Sequence, residues 1–562
     1  MNLPSRSYSS WQAWASAAAL VGFNFLFFLP DYFLRAPHQP WQWQHFAYDF
    51  GFVVTLVLVA APTRLSALVR RVAVALCVLV LLVNTYHCAL RNSFGREPAL
   101  WDDWRLALNL WHFMTDANPL RWASYGAALL AAMAMLSLAL GASLHTLQRR
   151  MGDTLPRAWR LALAGGALIV TTQALSRHGL KHEKLVFQLG SRPTVVNMQS
   201  SISRSGQAAA LMSRPVDRRY DQLMQVRLDA KPNVYLLMIE AYGEVLATWD
   251  MRAPYEGLLR RMETRLGQNG YHFRTAYSRS PVHSGTSWLA IATVQTGLEI
   301  DSVFAHTLLE PVGATLPSWT TFFKAQGYQT LALMPGNRAR PGLRRFDLYQ
   351  RDVLLEDPDL DYRGPIMDFG HIPDQFSLEI FRRKHLPQAK APHFSFFMSV
   401  STHYAWRRVP KYARVWDPDK EELPPNPPPD PSWEPLYGED QIGSVMRANY
   451  FSSVVYDWRV VADFIERVDD PNAIFVIVGD HQPFLEATPP RKTFHTPVHI
   501  VSKNAALVER FAAFGLEPGL FVEPRAQAVL VHAGIFSLVV AALANDPGLY
   551  TPQGLGLEGI HR

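Results

Sequence analysis

Residues 231–240 read Lys-Pro-Asn-Val-Tyr-Leu-Leu-Met-Ile-Glu. Pro232 and Asn233 break whatever precedes them, six apolar or aromatic residues follow without interruption, and one carboxylate ends the run. An unbroken apolar run of this length, bounded by turn residues, is the pattern of a strand buried on both faces. Working outward, the pattern returns: the strand of Asn233–Ile239 is followed by runs at Thr330–Met334, Phe394–Val400, Ala473–Val478 and Val498–Val501. Longer stretches with helical periodicity, Tyr255–Asn269, Leu316–Gly327 and Ser444–Val468, lie between them. Strands alternating with helices predict an α/β domain over residues 231–562, with a mostly parallel central sheet covered on both faces. The proline-rich stretch Leu423–Pro435 reads as a loop insertion.

In such sheets ligands bind beyond the carboxyl ends of the strands. Glu240 follows the first run, Ser401-Thr402-His403 follows Phe394–Val400, and Gly479-Asp480-His481-Gln482-Pro483 follows Ala473–Val478. His495 stands before the last run and His499 inside it. One Glu, one Asp and up to three His on one rim form a ligand set for zinc or manganese. A further segment, Ser280-Pro281-Val282-His283-Ser284-Gly285-Thr286-Ser287, crowds hydroxyls around a glycine, and the helix-like apolar run Trp288–Gly297 follows. A hydroxyl at a helix N-terminus meets unpaired amides and the positive end of the dipole, a natural place for a phosphate. Metal coordination turns such a hydroxyl into a nucleophile. Taken singly, a serine before a helix is ordinarily a cap and an Asp-His pair after a strand is ordinarily a loop. Taken jointly, every piece falls where this fold places a site.

The N-terminal part has a different composition. Five apolar stretches, roughly Trp14–Leu34, Phe46–Ala61, Val72–Leu90, Trp122–Leu144 and Leu161–Leu175, predict a transmembrane helical bundle of about five spans over residues 1–175. Arg64, Arg70 and Arg71 fall between the second and third, and Arg149, Arg150, Arg157 and Arg160 between the fourth and fifth. The positive-inside rule makes both loops cytoplasmic, and an odd number of spans then sends the C-terminal half outside. Residues 176–230 are basic with interleaved apolar side chains, as in a juxtamembrane connector lying on anionic lipid. The net charge of +6 is not gathered into a stripe, and no nucleic-acid-binding signature occurs, so a nucleic-acid partner is not expected. Cys77 and Cys88, the two cysteines, both lie in the third apolar stretch. The domain from 231 onward thus has neither a disulfide nor a cysteine nucleophile.

Lys231–Glu240 and the element Val478-Gly479-Asp480-His481-Gln482-Pro483 together resemble the sulfatase-like transferases of the alkaline phosphatase superfamily: the lipoteichoic acid synthases, phosphoglycerol transferases and phosphoethanolamine transferases. A bundle of five spans followed by an outer catalytic domain is also similar to those proteins. The resemblance covers roughly residues 231–505. It implies that Glu240, Asp480 and His481 bind a divalent metal, zinc or manganese, together with the nucleophile's oxygen. It implies Ser287 as that nucleophile, counted from the Thr296-Gly297 helix end, with Thr286 as the alternative. His403 and His495 match histidines that hold the donor phosphate or act as acid and base. No Pro or Arg follows Ser287 in the spacing that sulfatases use to mature their formylglycine, which argues against a true sulfatase.

The expected function is metal-dependent transfer of a phospholipid-derived phospho-headgroup, phosphoglycerol or phosphoethanolamine, to an envelope glycan or lipid through a covalent Ser/Thr intermediate. The alternatives are a phosphate or sulfate ester hydrolase on the same fold and a non-catalytic lipid-sensing envelope regulator. The expected partners are a phospholipid donor, the glycan or lipid acceptor and the membrane. The expected location is the bacterial inner membrane, multi-pass, with the catalytic domain periplasmic.

Overall fold

The computed structural model of the chain describes residues 10–27, 45–60, 63–94, 98–104, 119–154, scattered positions from 156 to 166, 181–182, 185–188, 192–211, 219–309, 316–337, 348–365, 367, 372–390, 392–414, 416, 442, 444–484 and 493–554. They divide into two compact units, one built mainly from residues 1–205 and the other from residues 206–562.

The first unit is mainly helical, with a small three-stranded sheet of His45–Ala47, Leu185–Gln188 and Lys181–His182. Its helices are Ser10–Leu26, Tyr48–Val59, Ser66–Phe94, Pro119–Thr154 and Arg192–Leu211. Among the described residues two of them, not five, are long and apolar enough to cross a membrane: Ser66–Cys88 with 23 residues and Ala123–Arg149 with 27. At 1.5 Å per residue each exceeds the roughly 30 Å hydrocarbon layer. Their outward side chains Leu68, Leu76, Leu79, Leu129, Leu130 and Leu138 are exposed, as lipid-facing residues are. The first stretch overlaps the 17-residue helix Ser10–Leu26 and the second holds the 12-residue helix Tyr48–Val59, while residues 28–34 and 61–62 lie outside the described residues. Most of Leu161–Leu175 and all of Leu423–Pro435 lie outside the described residues. Polar side chains tie the helices together internally. Gln148 donates to the carbonyl of Val57 at 3.0 Å and accepts from Arg70 at 2.7 Å. Asn84 accepts from Thr194 at 3.0 Å.

In the second unit the chain runs β1 (Val234–Ile239), α1 (Arg252–Gln268), β2 (His272–Arg279), α2 (Ser287–Thr296), α3 (Trp319–Ala325), β3 (Gln329–Met334), β4 (Val353–Glu356) and α4 (Asp374–Ile380). It continues through β5 (His393–Met398), α5 (Val445–Val468), β6 (Ile474–Gly479), β7 (His495–Ser502), β8 (Glu517–Pro518), β9 (Leu530–Val531) and α6 (Ile535–Ala544). The strands form one sheet in the order β8-β2-β7-β6-β1-β5-β3-β4, with β9 beside β2. β6, β1, β5, β3 and β4 run parallel, whereas β7 is antiparallel to both β6 and β2. The sheet is therefore mixed, though mostly parallel. β7 also begins at His495, so that histidine is the first residue of the strand rather than part of the loop before it.

β1 is central, and all six of its residues are buried. Val234, Leu236 and Met238 join one core with α2, α3 and α6, while Tyr235, Leu237 and Ile239 join a second with α1, α4 and α5. The alternation of side chains along a strand thus feeds two cores, which is why the sequence of this strand shows no polar interruption. The parallel register aligns the carboxyl ends: Ile239 sits opposite Gly479, and Met238 opposite Met398. Glu240, Asp480 and Ser399 therefore emerge on one edge of the sheet.

Candidate active site and metal centre

Glu240 is fixed from both sides of its peptide. Its N–H donates to Ser399 Oγ at 3.0 Å, and its carbonyl accepts from Thr402 Oγ1 at 2.6 Å. Asp480 Oδ1 accepts the backbone N–H of Ala241 at 2.7 Å and of His481 at 2.6 Å. That approach needs Gly479, because a Cβ there would lie 1.9 Å from the carbonyl oxygen of Tyr242. His481 Nδ1 lies 2.8 Å from the carbonyl oxygen of Gln482. A carbonyl can only accept, so Nδ1 carries the proton and Nε2 presents its lone pair.

That lone pair faces the carboxylates. His481 Nε2 is 3.2 Å from Asp480 Oδ2 and 3.5 Å from Glu240 Oε1. Ser287, the first residue of α2, donates from Oγ to Glu240 Oε2 at 2.8 Å and lies 3.1 Å from His481 Nε2. Asp480 Oδ2 has no hydrogen-bond donor among the described residues. One ligand atom from each of Glu240, Asp480 and His481 lies within 4.8 Å of the others, and all three residues are buried. This is a cluster of acceptors with one hydroxyl and no cation, and a divalent ion fits that donor set. Burial, reinforced by the charge of Asp480 and opposed by His481, His403 and Ser287, pushes the Glu240 carboxyl up to about 7. Burial lifts Asp480 to about 7 against the backbone N–H groups that favour its anion. Burial pushes His481 down, opposed by Glu240.

The two candidate hydroxyls are placed differently. Ser287 joins the cluster. Thr286 occupies the N-cap position of α2 with φ 56°, and its Oγ1 donates to the Gly285 carbonyl at 2.6 Å. No hydrogen bond joins it to Glu240, Asp480 or His481.

His403 lies close enough for its charge to act on Glu240, and its Nδ1 is 2.6 Å from the carbonyl oxygen of Tyr404. A cleft of about 270 Å³ beside it is lined by Ser401, Trp406 and Arg408 among others. His495 meets a residue that the sequence did not single out: its Nδ1 is 2.6 Å from Glu244 Oε2. His499 does not join the rim. It lies four residues, about 13 Å, further along β7. There it is fully buried between Tyr242 OH at 3.0 Å and Thr275 Oγ1 at 2.8 Å. Burial holds it neutral, pushing it down to about 3. A lone histidine inside an apolar run, His532, was also not singled out. It contacts the Gly479 carbonyl at 3.1 Å directly beneath Asp480.

Residues 247–506 match the protein family described as Sulfatase. This is a sulfatase-family domain. The match begins just after Glu240 and takes in Ser287, His403, Asp480, His481 and His495. The chain thus carries an enzyme domain of the sulfatase-like superfamily. No curated protein matches the chain. Solved structures similar to it include the lipoteichoic acid synthase LtaP from Listeria monocytogenes, with 14% identity and a TM-score of 0.38 over 61% of this chain and 81% of that one. Another is the integral membrane lipooligosaccharide phosphoethanolamine transferase EptA from Neisseria meningitidis, with 13% identity and a TM-score of 0.46 over 97% of each chain. A third is the phosphoglycerol transferase GacH from Streptococcus pyogenes, with 14% identity and a TM-score of 0.34 over 53% of this chain and 75% of that one.

Proposed function

We propose that this sulfatase-like domain transfers a phospho-headgroup, phosphoglycerol or phosphoethanolamine, from a membrane phospholipid to an envelope glycan or lipid, with Ser287 as the covalent carrier. The observation that carries the reading is the position of Ser287 Oγ, between Glu240 Oε2 and His481 Nε2 at the N-terminus of a helix. A zinc or manganese ion held by Glu240, Ser287, Asp480 and His481 would supply the positive charge that keeps the serine oxygen ionised. Ser287 then attacks phosphorus, and the diacylglycerol oxygen leaves with its electron pair. The N–H groups of the first turn of α2 would stabilise the phosphoryl oxygens. An acceptor hydroxyl attacks the phosphoserine in a second displacement and regenerates Ser287. His403 and His495 orient the phosphate and move the proton that the departing and arriving alcohols exchange.

The two apolar helices fit a membrane-embedded chain, and with shorter partners a multi-pass one. The Arg-rich loops support a bacterial plasma membrane topology with the catalytic domain on the outer, periplasmic side. Tethering keeps the site near a lipid donor at high effective concentration.

The test uses the full chain in vesicles of phosphatidylethanolamine and phosphatidylglycerol with fluorescent acyl chains, supplied with zinc or manganese. Intact mass should show one phospho-headgroup on the wild type and on Thr286→Ala, and none on Ser287→Ala. Fluorescent diacylglycerol should accumulate when an acceptor is present. Release of free headgroup without any acceptor would instead identify a hydrolase. Absence of both adduct and turnover would refute the transfer reading.

A further inference from the structure

The proposed transfer needs one proton to be given and taken back, and the present inference rests on that reading. His495 opens β7 opposite Arg279 of β2. Its Nδ1 lies 2.6 Å from Glu244 Oε2, in the turn that follows β1. The side chains are 13% and 9% exposed, and neither atom has a hydrogen-bond partner elsewhere among the described residues. The contact is a close approach of the two charged-group atoms that does not meet hydrogen-bond geometry. A carboxylate this far out of water needs a partner, and the imidazole lies beside it.

The pair is also built into the metal cluster. Gln482, whose carbonyl fixes the tautomer of His481, sends its side-chain amide toward the pair. Nε2 donates to the His495 carbonyl at 2.6 Å and to Thr493 Oγ1 at 3.0 Å, and Oε1 accepts the N–H of Val245 at 3.2 Å. The backbone closes tightly around this amide, since a Cβ on Gly243 would lie 2.0 Å from Oε1. One side chain thus pins the Glu244 turn and the start of β7 to the residue next to His481. A solvent-exposed ion pair has no such frame.

We propose that Glu244 is a positioning residue that holds His495 with Nδ1 protonated and Nε2 facing the reaction, so that His495 carries the proton of both half-reactions. In the first half, the bond from Ser287 Oγ to phosphorus forms and the bond from phosphorus to the diacylglycerol oxygen breaks. That oxygen takes the proton from His495 Nε2. In the second half, the acceptor hydroxyl gives its proton to Nε2 as its oxygen bonds phosphorus. The bond to Oγ breaks and its electron pair returns to the serine oxygen. The proton count closes without a further reactant, and Glu244 stabilises each imidazolium that forms.

The experiment compares wild type, Glu244→Gln, Glu244→Ala, His495→Ala and the double alanine variant, as full chains in the same fluorescent vesicles. Glu244→Ala and His495→Ala should each lower kcat by about 100-fold or more with KM little changed. The double variant should be no slower than either single one. Glu244→Gln should recover part of the rate, because its amide oxygen keeps an acceptor beside Nδ1. In parallel, ¹⁵N NMR of histidine-labelled protein, with His495 assigned from its alanine variant, reads the tautomer without needing turnover. At a pH high enough to make the imidazole neutral, wild type should show Nδ1–H, and Glu244→Ala should shift His495 toward Nε2–H. Wild-type rates in Glu244→Ala, single effects that multiply in the double variant, or an unchanged tautomer would overturn the proposal. If wild type releases no diacylglycerol, the donor reading falls, and the tautomer shift alone then upholds or overturns the role of Glu244.

Discussion

His532 Nε2 lies 3.1 Å from the carbonyl oxygen of Gly479, the residue immediately before Asp480. The carbonyl can only accept, so Nε2 is protonated, and Nδ1 accepts from Ser278 Oγ at 2.9 Å. A neutral, fully buried imidazole therefore fixes the peptide that aims the candidate metal ligands. Replacing it with alanine should weaken metal binding by roughly tenfold or more, as loss of supporting hydrogen bonds does at metal sites. Metal titration of His532→Ala and wild type checks this. Glutamine, which retains a donor, should recover part of the loss.

Thr286 and Ser287 are separable by backbone as well as by chemistry. Thr286 holds φ at 56°, where a β-branched residue is strained by about 1–2 kcal/mol and glycine is not. Its hydroxyl serves only the adjacent carbonyl of Gly285. Thr286→Gly should keep the covalent adduct and leave thermal stability unchanged or up to about 1 kcal/mol higher, since glycine's greater unfolded-state entropy offsets part of the relief. Ser287→Ala should abolish the adduct while leaving stability near wild type. Loss of the adduct in Thr286→Gly but not in Ser287→Ala would reverse the assignment.

Metal and pH should be linked with a definite sign. Without metal, Glu240 and Asp480 keep protons up to about pH 7, whereas unfolded carboxyls lose theirs near pH 4. Between roughly pH 4 and 7 the folded state binds more protons, so stability falls as pH rises through that window. His499 and His532 act oppositely. Burial pushes both down to about 3, so their contribution is complete above the unfolded value near 6.5 and is lost as pH falls. A bound metal keeps the two carboxylates ionised and releases their protons. The gap in Tm between metal-loaded and chelator-treated protein should therefore widen from pH 5 to pH 8. A gap that narrows would count against Glu240 and Asp480 as ligands.

What could be read from the chain follows from where its residues end up. β1, β5 and β6 are buried on both faces, so β1 and β6 leave unbroken apolar runs and β5 one that only serine interrupts after Phe394, and the residues that follow these runs carry the chemistry. β2 escaped notice because His272, Arg274, Thr275, Ser278 and Arg279 interrupt it, its exposed end and polar partners hiding the strand pattern. Glu240, Asp480 and His481 were legible as strand-end residues. Glu244 and His532 were not, because each draws its meaning from a partner more than 50 residues away. Apolar composition marks a stretch but not the length of its helix, and among the described residues two helices reach spanning length.

Gly479 offers the most severe test of the close approach on which the site depends. It ends β6 opposite Ile239, and a methyl group added there would fall 1.9 Å from the Tyr242 carbonyl oxygen and 3.1 Å from Thr496 Cβ. The first of these is backbone, and no side-chain rotation relieves it. The loops after β1 and β6 would have to separate, which would break the two N–H bonds that hold Asp480 Oδ1 and move His481 away from Glu240. Gly479→Ala should therefore destabilise the domain by about 3 kcal/mol, at the upper end of overpacking costs, and abolish metal binding even where the protein remains folded. Denaturant unfolding and metal titration of the same preparation separate the two effects. Metal affinity equal to that of wild type in Gly479→Ala would mean that the contact between the β1 and β6 loops does not set the ligand geometry.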